Sequence, residues 1–115
     1  MDIGDEKLME LFVDTLQKCG LNILKMSDDC IAYNIFEEFD IGATSFLHIN
    51  TLSRLRASNL INEKIVRKSS DLRNKFFQLQ HGDQWNIESI KRTNEWMEVL
   101  TLSDEIKTLL REEMP

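Results

Sequence analysis

Apolar residues recur at intervals of three and four positions along most of this chain of 115 residues. That spacing places them on one face of an α-helix, whereas a half-buried strand would alternate apolar and polar residues. The single proline, Pro115, interrupts no helix, and no Asn-Gly or Asp-Gly turn between alternating segments indicates a β-hairpin. A chain of this length has the size of one ordinary domain. We therefore expect residues 1–115 to form an all-α fold, a compact single-domain bundle of five or six helices.

Residues that favour helix ends mark the expected boundaries, because short polar side chains cap helix starts and glycine tolerates the backbone after a helix. The predicted starts are Asp5, Ser27, Asn50, Asn62, Asn86 and either Thr101 or Ser103, and the predicted ends are Gly20 and Gly82. Residues 37–49 read EEFDIGATSFLHI and are poor in strong helix formers. We expect a helix-poor gap there, in which TSFLHI is the one stretch that could be extended.

Most aromatic residues and both cysteines are expected to have structural roles. The aromatic residues expected in the core are Phe36, Phe76, Trp85 and Trp96. Cys19 and Cys30 lack the spacing of metal ligands. A disulfide between them would need an oxidising compartment, which nothing in the sequence indicates. We expect two thiols that are buried or idle.

The negative charge is concentrated in the first third of the chain. Residues 1–40 contain ten acidic residues and three lysines, a net charge of −7, whereas residues 41–115 carry a net charge of +1. Such a field attracts basic partners and repels nucleic acid and anionic lipid. Surface acids that merely maintain solubility are the alternative explanation.

Patterns that indicate catalysis, cofactors or membrane insertion are missing from the sequence. The two histidines, His48 and His81, belong to no nucleophile motif or metal-ligand spacing, and the four glycines form no phosphate-binding loop. No apolar run approaches the roughly 20 residues that span a bilayer, and the acidic amino terminus lacks the basic region of a secretory signal. We expect a cytoplasmic protein that is not an enzyme and has no cofactor, metal, small-molecule substrate or membrane partner.

A basic segment at residues 54–75 provides an alternative. Its seven cations are Arg54, Arg56, Lys64, Arg67, Lys68, Arg73 and Lys75, against Glu63 and Asp71. A short helix, a turn at Asn59 and a long helix would resemble a helix-turn-helix and could bind nucleic acid. The sequence pI of about 4.9 argues against that function. The other interpretation is that these cations form salt bridges with acidic helices.

Two runs in the later part of the chain, INTLSRLRASNLINEKIVRKSSDLRNKFFQL and QWNIESIKRTNEWMEVLTLSDEIKTLL, carry a resemblance to a known family. A leucine-bearing helix leads through an Asn turn and an Ile into a long helix with a Leu-Arg-x-x-Phe pattern, and a tryptophan-bearing helix follows. This arrangement, over about residues 46–111, resembles small helical immunity proteins of bacterial contact-dependent growth inhibition and related polymorphic toxin systems. The resemblance implies that the protein neutralises a cognate toxin domain, a basic one and often a nuclease, by stoichiometric occlusion in the cytoplasm.

The resemblance does not reach the acidic third, which is where we expect the toxin-binding residues. Carboxylates there would imitate substrate phosphates and pair with basic residues of the toxin, while a few aromatic residues would slow dissociation. The expected charged contacts are Asp28, Asp29, Glu37, Glu38 and Asp40, and the expected apolar anchors are Tyr33 and Phe46. Residues 37–49 would then form a binding rim between two groups of helices. An ordinary surface connector and a self-associating helical scaffold are the alternatives.

Overall fold

Six helices account for most of residues 3–114, which are the residues that the computed structural model describes. Residues 28–45 are helical without a break and form a single helix, α2, in which Asp28–Ala32 and Asp40–Ser45 are α-helical and Tyr33–Phe39 is π-helical. The other helices are α1 (Asp5–Gln17), α3 (Ile49–Ala57), α4 (Glu63–Gln80), α5 (Ile87–Arg92) and α6 (Asn94–Glu113), and a 3₁₀ helix at Leu21–Lys25 joins α1 to α2. The predicted all-α bundle of five or six helices is confirmed.

Helices α4 and α6 pack along each other, and α1 packs against α2, α3 and α6. A cluster of aromatic rings lies where α2, α4 and α6 meet. Phe39 packs edge-on against Phe76 at 4.7 Å between ring centroids, and Trp85 lies 5.8 Å from Trp96. Phe76 and Trp96 are fully buried, while Phe36 and Trp85 are half-buried against the core. All four aromatic residues predicted for the core are therefore in or against it.

The wide π-helical turn keeps one side of α2 in the core along its whole length. The buried apolar side chains of α2 and of the turn that follows recur at intervals of four, and they are Ile31, Ile35, Phe39, Ala43 and Leu47, each fully buried. In a regular α-helix each residue advances about 100°, so a four-residue step overshoots a full turn by about 40° and four such steps by about 160°. A π-helical turn contains more residues per turn and corrects that drift. The π-helical segment therefore follows from the spacing of the buried residues.

Three of the predicted helix starts are confirmed. Side-chain oxygens of Ser27, Asn62 and Asn86 accept hydrogen bonds from backbone N–H groups three residues later, at 3.3, 3.0 and 2.8 Å respectively. Asn59 has a φ of 61°, as the predicted turn before α4 requires. These boundaries were predictable because both the cap and the group it binds are local in the sequence.

The predicted helix-poor gap at residues 37–49 is wrong, because α2 continues to Ser45 and only the short turn before α3 is irregular. No part of TSFLHI is a strand within the described chain. The cap of α3 is His48, whose Nδ1 accepts the Asn50 N–H at 3.1 Å, and Asn50 itself lies within the helix.

Three further boundary predictions are wrong, two at α1 and one at α6. Helix α1 ends at Gln17, three residues before Gly20, and its N-cap residue is Gly4, with Asp5 in the first turn. Helix α6 runs without interruption through Thr101 and Ser103. Ser103 is fully buried and serves as a hydrogen-bond donor to another helix, which capping patterns alone do not reveal.

The end of α1 is closed by side chains of α6. The Ser103 hydroxyl lies 3.1 Å from the carbonyl oxygen of Leu16 and 2.8 Å from that of Cys19, and the Lys107 ammonium donates to the Cys19 carbonyl at 2.8 Å. The last carbonyls of a helix lack partners within it, so these contacts replace them. Cys19 is fully buried, and burial raises the pKa of its thiol to about 12. Cys30 is exposed, and both cysteines are free thiols.

Removing the Ser103 hydroxyl should destabilise the fold, since the buried Leu16 carbonyl then loses its side-chain donor. The Leu16 carbonyl keeps the Cys19 N–H and the Cys19 carbonyl keeps the Lys107 ammonium. We therefore expect Ser103→Ala to lower the free energy of unfolding in urea by about 0.5–1.5 kcal/mol. Ser69→Ala is the matched control, because the fully buried Ser69 hydroxyl has no hydrogen-bond partner among residues 3–114. That control should change the free energy by about zero or raise it slightly. An equal loss of unfolding free energy in the two variants would contradict a stabilising role for the Ser103 hydrogen bonds.

Asp5 links stability to pH. Its carboxylate accepts hydrogen bonds from the Ser58 hydroxyl and, at 2.6 Å, from Arg54 Nε. The Ser58 hydrogen bond and then the Arg54 hydrogen bond hold the pKa of Asp5 below its usual value. The resulting stability is complete above the unfolded-state pKa and is lost as the pH falls through the lower folded-state pKa.

Asp5→Asn should therefore reduce the free energy of unfolding near neutral pH and make it fall less steeply on acidification. The difference from the wild type should shrink as the pH falls from about 5 through the lowered folded-state pKa of Asp5, in urea titrations at each pH. Asp14→Asn is the control, because Asp14 is exposed and contacts no ionic partner among the described residues. A difference that stays constant with pH would show that Asp5 acts through packing instead.

Candidate functional site

The side of α2 that faces away from the core carries both acidic and apolar side chains. Asp29, Tyr33, Glu37 and Ile41 follow one another at intervals of four and are exposed, with Tyr33 52% and Ile41 64% exposed. The π-helical turn that aligns the buried residues also aligns these four on the opposite side. We call them, together with the half-exposed Glu38, the α2 face.

A hydrogen bond across the π-helical turn fixes the aromatic side chain of this face. The Tyr33 hydroxyl donates to Glu38 Oε1 at 2.6 Å, over an interval of five residues that matches the hydrogen-bonding interval of a π-helix. This hydrogen bond is the main cause that raises the pKa of Tyr33, and the negative charges of Glu38 and Glu37 add to it. The ring is therefore held beside a carboxylate and remains accessible to a partner.

The other predicted contact residues differ in how far they are engaged by the protein itself. The Asp28 carboxylate lies 2.5 Å from the Lys91 ammonium, and Asp40 Oδ1 accepts a hydrogen bond from the Gln80 amide at 2.6 Å. Phe46 is half-buried against the core. Asp29 and Glu37, in contrast, have no hydrogen bond or ion pair from their side chains to other described residues.

One exposed residue of this face was missed by sequence reasoning. The sequence pattern places Ile41 in a helix-poor gap, although this residue follows Tyr33 and Glu37 at the same four-residue interval. Ile49, the first residue of α3, is also exposed, by 52%. The repeated interval was the available signal, and it was obscured because Gly42, Thr44 and Ser45 have low helix propensity.

The basic segment at residues 54–75 is largely neutralised by the protein's own carboxylates. Five of its seven cations lie within 4.0 Å of a carboxylate, in the pairs Arg54–Asp5, Arg56–Glu63, Lys64–Glu113, Lys68–Glu105 and Lys75–Glu98. Arg73 donates to the Ala43 carbonyl at 3.2 Å and lies over the Phe77 ring. Arg67 is exposed and pairs with no described residue. Exposed pairs of this kind contribute little stability, but they reduce the local positive field.

Groups that could support metal binding are not assembled in the described part of the chain. Within residues 3–114, no cluster of three or more His, Cys, Asp or Glu side chains could hold a metal ion. His48 is used as a helix cap, and His81 ends α4 on the surface. None of the helices in this range combines the length and apolar content needed to cross a bilayer.

Comparison with protein-family models, with curated proteins and with solved structures found no significant match to this chain. The function of the protein is therefore inferred from the arrangement of its own residues.

The hydrogen bond between Tyr33 and Glu38 can be tested directly, because Tyr33 is the only tyrosine in the chain. We expect Glu38→Gln to lower the pKa of Tyr33 in an absorbance titration of the phenolate, because it removes both the charge and the anionic acceptor. Glu37→Gln removes one charge without that hydrogen bond and should lower the pKa less. If the two variants shift the pKa equally, the hydrogen bond is not the main cause.

Proposed function

We propose that this chain is an immunity protein that binds a basic toxin domain through the α2 face and neutralises it by stoichiometric occlusion, in the cytoplasm. The observation that carries the proposal is the exposure of two unpaired carboxylates, Asp29 and Glu37, beside two exposed apolar side chains, Tyr33 and Ile41. Protein interfaces combine these features, since buried apolar anchors supply affinity and complementary charges set the partner and the association rate.

The distribution of charge supports a basic partner. The cations of the later part of the chain are mostly paired with carboxylates of the same region, such as Lys68 with Glu105 and Lys75 with Glu98. Among the described residues, they compensate the acidic excess of residues 1–40 only at Asp5 and Asp28, through Arg54 and Lys91. A surface of this sign would accelerate encounter with a positively charged groove, such as the substrate groove of a nuclease.

The predicted contact residues differ in how central they are to the proposed binding surface. Asp29, Tyr33, Glu37 and Ile41 form its centre, with Glu38 orienting the Tyr33 ring. Three residues lie at the margin of the proposed binding surface, because their side chains already contact other residues of the protein or are half-buried. They are Asp28, Asp40 and Phe46. Lys91 would have to release Asp28 before that carboxylate could bind a partner, which reduces the net contribution of Asp28 to the binding free energy.

A nucleic-acid-binding regulator is the second candidate. The observation in its favour is local geometry, because α3, the turn at Asn59 and α4 follow one another as short helix, turn and long helix. The pairing of five of the seven cations in residues 54–75 weakens the electrostatic basis for phosphate binding. A probe shift with a steep salt dependence, lost in Arg67→Ala with Lys68→Ala, would favour this candidate over the first.

The test uses a toxin domain encoded next to this chain, with association and dissociation measured separately at several salt concentrations. Reversing both unpaired acids, Asp29→Lys with Glu37→Lys, should slow association by about tenfold or more at low salt and flatten its salt dependence. Ile41→Ala should mainly speed dissociation, by about tenfold, because it removes an apolar anchor.

The control variants are Asp14→Lys with Glu112→Lys, which make the same charge change at exposed positions away from α2. Circular dichroism should confirm that every variant is folded, and co-expression should show which of them still protect cells from the toxin. If association slows equally in the α2 and control variants, the effect is due to net charge and the proposed binding surface is wrong. Self-association of the chain without any toxin binding would instead favour a scaffold.

A further inference from the structure

Helices α4 and α6 run antiparallel and carry matching rows of opposite charge. Lys68 of α4 lies 3.2 Å from Glu105 of α6. Seven residues further along α4, Lys75 lies 3.4 Å from Glu98, which is seven residues earlier on α6. Seven residues make about two turns of helix, so each pair of like charges forms a row along its helix. One edge of this surface is therefore positive and the other is negative.

Apolar surface lies beside the two rows. Two recesses of about 390 and 350 Å³ open there, and they share Thr101 and Glu105 in their lining. Met97 lines the first recess and is 41% exposed, and the half-buried Leu109 lines the second. We call the two rows, together with Met97, Thr101, Thr108 and Leu109, the α4–α6 face.

The α4–α6 face is close to neutral, unlike the first third of the chain. Its lysines offset its glutamates, and Asp104, which also lines the second recess, pairs with Lys107 at 3.1 Å. Residues 1–40, in contrast, carry a net charge of −7, and two copies that approached through them would repel each other. A strongly basic or acidic partner would gain little steering from a neutral face. The charge of this surface therefore fits a second copy of the chain.

The arrangement of the rows is complementary to itself. In a face-to-face dimer with its two-fold axis parallel to α4 and α6, a rotation of 180° exchanges the two edges of the face. The lysine row of each copy then lies opposite the glutamate row of the other. Residues at the same height along α6 meet across the axis, so apolar side chains such as Met97 face apolar side chains. Opposite charges and apolar surfaces are matched by one symmetry operation.

We propose that the α4–α6 face binds a second copy of this chain and forms a symmetric dimer. Two helices about 27 Å long and about 10 Å wide offer roughly 500 Å² per copy. A standard interface buries about 800 Å² per partner, so the dimer should be weak, with a Kd in the micromolar range. The inference uses none of the residues of the α2 face and does not rest on the toxin proposal.

The first experiment is sedimentation of the full chain over a range of concentrations. The mass should rise from 13.5 kDa toward twice that value as the concentration increases. Met97→Lys should raise the Kd of the dimer by about tenfold or more, because it places a charge among the apolar side chains of the interface. Met26→Lys is the matched control, since Met26 is 43% exposed and lies outside the α4–α6 face. It should dimerise like the wild type.

The second experiment separates contacts between copies from ion pairs within one copy. One variant carries Lys68→Glu with Lys75→Glu, and the other carries Glu98→Lys with Glu105→Lys. Each gives both rows the same sign, so neither should self-associate, whereas an equimolar mixture should form a heterodimer. Four units of charge in either direction from −6 give net charges of −10 and −2. Because both variants remain negative, general attraction cannot produce that heterodimer.

Circular dichroism should show that each variant is folded. The proposal is overturned if the wild type stays monomeric up to about 500 μM, if Met97→Lys and Met26→Lys dimerise equally, or if the mixture of charge-reversed variants stays monomeric. A monomeric chain that still binds a toxin through the α2 face would remove only the dimer. A dimer that binds no toxin would remove only the immunity function.

Discussion

The buried residues of α2 recur at a strict interval of four, and the rest of the structure depends on that spacing. From Ile31 to Leu47 each buried apolar side chain is four residues after the last, and a regular α-helix would turn the later ones out of the core. The π-helical turn at Tyr33–Phe39 absorbs the difference. One turn of α2 loses regular α-helical hydrogen-bond geometry, and in return apolar side chains are buried along the whole helix.

A glycine in α2 determines how closely α2 packs against α1. Gly42 is buried, and a Cβ at this position would lie 2.5 Å from Thr15 Cγ2 of α1. Only a residue without a side chain allows the two helices to approach so closely. The Thr15 hydroxyl in turn donates to the Leu11 carbonyl at 2.8 Å, so its polar atom is satisfied at this contact. A glycine that indicated a helix-poor segment on propensity alone is thus a requirement of helix packing.

The sequence was most informative where structure depends on neighbouring residues, and least where it depends on distant ones. Ser27, Asn62 and Asn86 were predictable as caps because each binds a backbone group three residues away. The interior role of Ser103 depends on carbonyls more than 80 residues earlier in the chain. Capping preferences therefore suggested a helix break where tertiary contacts instead require continuity. The candidate site follows the same rule, since Tyr33 and Glu37 were found from composition, while Ile41 needed the course of α2.

The pairing of charges within the fold explains why the unpaired acidic residues are concentrated in residues 1–40. The lysines of α4 lie beside acids of α6, in the pairs Lys64–Glu113, Lys68–Glu105 and Lys75–Glu98. Pairing between these two helices is nearly balanced, so it cannot offset the −7 of residues 1–40. In that region Asp5 and Asp28 are bound to Arg54 and Lys91, whereas Asp29 and Glu37 face solvent without a partner. Because like charges on one surface repel each other and cost stability, an uncompensated pair beside exposed Tyr33 and Ile41 is more readily understood as a surface that a basic partner covers than as a device for packing.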